Sequence, residues 1–104
     1  MTEDAVEQCA EVFKAMGDTT RLPILRNLFA GEMCVTDLAH ALKMDAPRVS
    51  FHLTRLKYAR LVVDERRGQR VIYRLNPAVV ESDGKDEFRL RAGACTVVFD
   101  RRTR

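Results

Sequence analysis

The sequence has no apolar run longer than a few residues, which excludes a membrane-spanning helix. Its opening segment, MTEDAVEQCAEVF, carries early acids and no cleavable apolar core, so it does not read as a secretory signal, and a cytoplasmic location with no membrane partner is expected. Cysteine is scarce and odd in number. Cys9, Cys34 and Cys95 have no close pairing in sequence and do not make a secreted disulfide framework. Histidine is limited to His40 and His52, and there is neither an internal repeat nor a low-complexity linker. What is present is ordinary for a folded protein: 46% hydrophobic and 32% charged residues argue against disorder. The length of 104 residues sets one domain, residues 1–104, as the expectation. Its core is thin enough that a partner subunit would help it.

The net charge of +3 says little, but its distribution says more. From Lys43 to Arg74 nine basic residues stand against three acids, while the remainder carries nine basic residues against twelve acids. A basic middle third in a near-neutral chain is the footprint of a surface that binds a polyanion; a solvated, charge-laced helix and hairpin is the bland alternative.

Periodicity predicts four helices followed by strands. Residues 3–16 form an amphipathic helix with Val6, Cys9, Ala10, Phe13 and Met16 as its apolar stripe, Thr2 as N-cap and Gly17 as stop. Asp18 caps a second helix to about Phe29, with Leu22, Leu25, Leu28 and Phe29 inward and Pro23 near its first turn. Met33-Cys34-Val35 is a short extended or capping stretch. A third helix runs to about Leu42, with Cys34 in the cap position and Asp37 three residues on. The turn Lys43-Met44-Asp45 leads into a fourth helix, capped by Asp45 and ending near Ala59, with Val49, Leu53 and Leu56 inward. Two helices across so short a turn match a helix-turn-helix, residues 35–59. Two strands around Arg67-Gly68-Gln69 follow at 61–75, with Val71, Tyr73 and Leu75 on one buried face. Asn76-Pro77 can start a short helix, which Ser82-Asp83-Gly84 breaks. Residues 86–100 read as one or two late strands about an Ala92-Gly93 turn, and Arg101–Arg104 are expected to fray.

The fold class expected is therefore α+β, mostly α: a winged helix-turn-helix domain with a β-hairpin wing and a short C-terminal strand segment. A helix of this kind fits the major groove and its outward side chains reach base edges. Arg48, Phe51, His52 and Arg55 are expected on that outer face. Arg48 suits guanine, Ser50 a base or phosphate, Phe51 a thymine methyl, and His52 can touch DNA. Arg55 with the wing-tip Arg66, Arg67 and Arg70 would hold phosphates, positioning without specifying. A solvent-exposed side chain is the alternative for each taken singly; together, on one helix and one wing, they favour double-stranded DNA as partner.

Several motifs recur in order. Asp18-Thr19-Thr20-Arg21, the box Glu32-Met33-Cys34-Val35-Thr36-Asp37-Leu38, the run Val49-Ser50-Phe51-His52-Leu53, and Arg67-Gly68 of the wing resemble those of the ArsR/SmtB family of bacterial winged-helix repressors. The resemblance covers residues 12–77. It implies a homodimer that binds an imperfect palindromic operator and releases it when a ligand binds, with no cofactor required for DNA binding itself. The chain departs from the family pattern in three places. Thr36 stands where the box has a second cysteine, Pro23 replaces a basic or apolar residue, and the last family helix, which holds a His/Asp zinc site in zinc sensors, looks truncated. A zinc site of that type is not expected, and dimerisation would rest more on the first helix and on the tail.

Cys34 sits at a helix N-terminus, a place that favours the thiolate that binds soft metals and reacts with oxidants. The resemblance implies that Cys9 of one subunit can join Cys34 of the other. The tail Gly93-Ala94-Cys95-Thr96-Val97-Val98-Phe99 resembles a Gly-Cys-Cys strand of arsenic-type members, so Cys95 would complete a three-thiolate metal site for arsenite, antimonite or another soft ion acting as inducer. Against this, Cys9 on its apolar stripe also reads as a packed small hydrophobe, and Cys34 as a cap substitute. The leading expectation is a dimeric repressor released by such an ion. The alternatives are a thiol-based redox or persulfide sensor of the same fold, and a protein-interaction winged helix without DNA binding. An enzyme is not expected: a Cys34/His40 nucleophile pair would lie on different faces of one helix.

Overall fold

The computed structural model describes residues 1–82 and 84–100. The expected fraying of Arg101–Arg104, and Asp83 within the Ser82-Asp83-Gly84 break, lie outside the described residues.

Four helices come first, and each begins and ends where local chemistry dictates. Helix α1 (Glu3–Met16) starts at Thr2, whose Oγ accepts the Ala5 N–H at 3.1 Å, and carries Glu3 and Asp4 against its positive end. Before α2 (Arg21–Ala30), the Asp18 carboxylate accepts the backbone N–H groups of Thr20 at 2.7 Å and Arg21 at 3.1 Å. The helix therefore begins two residues later than the cap alone implied, and Pro23 falls in its first turn, where no intrahelical donor is lost. Strand β1 (Met33–Cys34) leads into α3 (Val35–Leu42), where Cys34 Sγ takes the cap position and accepts from Asp37 N–H at 3.5 Å. Lys43 turns the chain at φ 55°, and α4 (Ala46–Tyr58) follows. Asp45 occupies the N-cap of α4 without a side-chain cap bond, and Pro47 fills the first turn instead.

Two three-stranded antiparallel sheets complete the chain. The first, in order β1-β3-β2, holds β2 (Val62–Arg67) and β3 (Arg70–Leu75), closed by a two-residue turn with Gly68 at φ 64°. β1 adds Met33 opposite Tyr73 and Cys34 opposite Ile72, so the base of the wing is fastened to the start of α3. The second sheet, β4-β5-β6, comprises β4 (Val80–Ser82), β5 (Glu87–Ala92) and β6 (Cys95–Asp100).

The expected short helix after Asn76-Pro77 is absent. Asn76 Oδ1 accepts the Ala78 N–H at 3.0 Å and folds residues 76–79 into a turn, after which Val80 pairs with Leu90. The two late strands do form, with β4 as a third.

The core joins both sheets to the helices. Ile24, Leu25, Leu38, Val49, Leu53 and Leu56 are fully buried, as are Leu61, Val62 and Leu90. Phe88 of the second sheet stacks on Phe29 of α2 at 3.9 Å and on Phe99 at 4.5 Å. On α1 the phase differs from expectation. Cys9, Val12, Ala15 and Met16 are buried, whereas Val6 and Phe13 are each half exposed and Ala10 is exposed. On α2, Leu22 is likewise exposed, and Ile24 takes the inward place.

Candidate nucleic-acid interface and cysteine pair

α4 is held by one face and offers the other. Val49, Leu53 and Leu56 have no exposed surface, while Arg48, Ser50, Phe51, Thr54 and Arg55 face solvent. The Arg55 guanidinium lies over the Phe51 ring at 5.1 Å, which stiffens both side chains on the outer face. Thr54 Oγ1 donates to the Ser50 carbonyl at 3.0 Å, leaving the Ser50 hydroxyl outward. These four sequence-predicted residues, Arg48, Ser50, Phe51 and Arg55, share one surface.

His52 does not join them. It is buried, with Nδ1 lacking a hydrogen bond and lying 4.0 Å from Asp18 Oδ1. At 100° per residue it falls about 60° from Val49, inside the packed arc rather than opposite it. It thus belongs to a cluster with Asp18 and Arg21 beneath the helix, which sequence reading missed. The Thr20 backbone N–H holds the Asp18 carboxyl below its ordinary range, with the Arg21 N–H, His52 and the Arg21 guanidinium adding to the effect.

The wing arginines divide. Arg66 is exposed and makes no ion pair among the described residues. Arg67 pairs with Glu65 and forks onto Glu32, with Nη1–Oε1 at 2.6 Å and Nη2–Oε2 at 3.1 Å. Its hydrogen bonds pull both carboxyls below their usual range and raise Arg67 itself. Arg70 donates to Cys34 Sγ at 2.8 Å and to Asp37 Oδ2 at 3.1 Å, and is raised first by the Cys34 bond. These partners are exposed carboxylates and one thiol at the start of α3, so the contacts fasten the wing to the helix-turn-helix while remaining weak enough to exchange. The acids at 32 and 37, flanking Cys34, were the available signal for this latch.

The cysteines separate into two places. Cys9 and Cys95, 86 residues apart, form a disulfide with Cα atoms 5.9 Å apart, joining α1 to the start of β6. Cys9 Sγ also lies 3.3 Å from the Ala92 carbonyl, an acceptor for the thiol in the reduced form. Cys34 is a free, buried thiol at the other sheet, under Arg70. Within one chain the three sulfurs do not converge, and among the described residues no group of three His, Cys, Asp or Glu side chains is placed to hold a metal ion. His40 sits in the exposed last turn of α3 while Cys34 is buried at its N-terminus, so these two make no nucleophile–base pair.

Comparison with known proteins agrees with this architecture. Residues 18–63 match the family described as bacterial regulatory protein, arsR family. The chain is 46% identical over 72 residues to the arsenic resistance transcriptional regulator ArsR1 of Pseudomonas putida, covering 65% of this chain and 54% of that protein, about half its length. It is 41% identical over 70 residues to the transcriptional repressor SdpR of Bacillus subtilis, covering 67% of this chain and 78% of that one. Among solved structures it is similar to the homodimeric winged helix-turn-helix DNA-binding domain of a possible ArsR-family regulator from Mycobacterium bovis. The TM-score is 0.69 at 33% identity, with 75% of each chain covered.

Proposed function

Because this chain belongs to the arsR family of bacterial regulatory proteins, we propose that it is a dimeric repressor that binds double-stranded operator DNA and is released by a thiophilic inducer. The observation that carries the DNA-binding part is the outward face of α4, with Arg48, Ser50, Phe51 and Arg55 exposed together beside a wing bearing Arg66. α4 enters the major groove and reads base edges through Arg48 and Phe51, while Arg55, Arg66, Arg67 and Arg70 bind phosphates, the last two by exchanging their carboxylate partners. Two copies about a two-fold axis meet an imperfect palindrome.

The inducer is captured at Cys9 and Cys95. In the reduced protein, arsenite exchanges two hydroxyls for the two thiols and releases two waters. The partner subunit supplies a third sulfur, from Cys34, to complete a soft three-thiolate site. The arsenic resistance regulator among the relatives supports this ligand class. Binding shifts the dimer toward a spacing of recognition helices that no longer fits the operator.

The Cys9–Cys95 disulfide favours a second reading, in which oxidation itself is the signal. Hydrogen peroxide would take two electrons and two protons from the thiols, giving the disulfide and two waters. The two readings exclude one another at the same sulfurs, because a disulfide has no thiolate to offer. Fluorescence anisotropy of the reduced protein on duplex DNA separates them. Release by stoichiometric arsenite, lost in Cys95→Ser, supports the metalloid reading. Release by peroxide alone, with a mass loss of two hydrogens, supports the redox one. Indifference to both, in wild type and variant alike, refutes sensing at this pair.

A further inference from the structure

We propose that β6 is the seam of the homodimer, pairing antiparallel with β6 of a second copy so that two three-stranded sheets become one of six. This rests on the dimeric reading above and names the surface that makes it.

Three observations converge. First, β6 is an open edge: the second sheet runs β4-β5-β6, and nothing pairs with the outer side of β6 among the described residues. The strand reads Cys-Thr-Val-Val-Phe-Asp, rich in β-formers, with no proline or bulge and no lysine, so it lacks the devices that keep an edge from pairing.

Second, the register decides which groups are on offer. The β5–β6 turn has Gly93 at φ 58° as the first of its two residues, so Ala92 and Cys95 close the hairpin as a hydrogen-bonded pair. Alternation then makes Leu90–Val97 and Phe88–Phe99 bonded pairs, while Thr96 and Val98 turn their N–H and C=O groups outward. The Arg91 N–H, opposite Thr96, donates instead to the Val79 carbonyl at 2.8 Å, as this alternation requires. A two-fold axis at Val98 lets the strand pair with itself. Val98, now 52% exposed, meets the partner copy's equivalent valine, and the polar Thr96 falls opposite the position of Asp100.

Third, the edge continues into a second apolar surface. Cys9 is bonded to Cys95, the first residue of β6. On the α1 wheel, Val6 and Phe13 lie about 40–60° from Cys9, on the side away from the packed arc. Both are half exposed. A stable interface takes roughly 800 Å² from each partner, a sizeable part of the 6937 Å² that this chain exposes. Val6, Ala10 and Phe13 alone fall short of that, and a six-residue edge about 20 Å long supplies the continuation.

The test uses the full chain. Val98→Pro removes an outward N–H without touching the β5–β6 bonds. The two symmetry-related hydrogen bonds lost per dimer weaken association about tenfold to a hundredfold by sedimentation equilibrium. Val98→Cys is the milder companion. A hydrogen-bonded pair across the axis sets two Cα atoms about 5.5 Å apart, within disulfide reach. Oxidation therefore gives a covalent dimer on non-reducing gels, whereas Thr96→Cys, displaced from the axis, gives none beyond wild type. A Val98→Pro protein that stays dimeric with the wild-type constant, together with no selective cross-link at position 98, overturns the seam and leaves the dimeric repressor standing. A wild-type chain that is monomeric both free and on DNA overturns both.

Discussion

Asp18 illustrates what single residues contribute. Its carboxylate caps the turn into α2 and faces the buried His52, and its pKa is held down chiefly by the Thr20 N–H. A carboxyl whose folded pKa lies below its unfolded value of about 3.9 contributes stability that is fully present above that value. The contribution is lost as pH falls through the lower folded value. Asp18→Asn keeps an acceptor but not the charge, so it should flatten the acid limb of a stability-versus-pH curve. Asp18→Ala should lose about 1 kcal/mol at neutral pH, as for other lost caps. Urea titrations from pH 2.5 to 7 read both effects, and acid limbs that superpose would contradict the assignment. On the DNA face the exposed arginines should differ in kind. Arg48→Ala should cost about 1–3 kcal/mol and relax preference at one base position. Arg66→Ala should weaken all duplexes alike and lower the salt slope by about one. These arginines were legible as outward charges in a basic segment. His52 was not, because counting three and four residues from Val49 skips it, although its angle places it at the edge of the buried arc.

At the scale of elements, helix-turn-helix and wing follow directly from the sequence pattern. Val49, Leu53 and Leu56 recur with the helical period, Cys34 caps α3, and the Gly68 turn sets the hairpin register Arg67 opposite Arg70. α1 was harder, since it is apolar on two arcs and spacing alone does not say which one the core takes. The tail was harder still. Asn76-Pro77 suits a helix start, and only the long-range pairing of β4 with β5 decides for strand. That pairing also brings Cys95 to Cys9, a contact between residues too far apart in sequence for local pattern to reveal. Closing a loop of this length should make the oxidised protein about 2–4 kcal/mol more stable than the reduced one. Cys9→Ser should abolish the difference between melts run with and without reductant, and a difference that persists would place the redox effect elsewhere. Within the core, Leu53→Ala should cost about 2–5 kcal/mol in urea, because the side chain is fully enclosed under the recognition helix.

Across the whole molecule, charge and shape assign separate tasks to separate ends. The basic middle third becomes α4 and the wing, while α1 and the second sheet carry the apolar stripe, the open edge and the cysteine pair. A change at Cys9–Cys95 therefore acts on the elements proposed to join two copies, and through their spacing on the recognition helices, without touching the DNA face. The latch of Arg67 and Arg70 onto Glu32, Glu65 and Asp37 keeps each wing fixed to its own helix-turn-helix, so the wing and α4 should move as one unit.

The central claim is that the face made by α4 and the wing grips duplex DNA. The most direct test is an anisotropy titration of the reduced protein onto duplex DNA across a salt series, with an Arg48→Ala, Arg55→Ala, Arg66→Ala triple variant alongside. The account predicts steep, linear loss of log affinity with log salt for the wild type, and a slope shallower by about two to three for the variant. Absence of binding at low salt, or an unchanged slope in the variant, would contradict it.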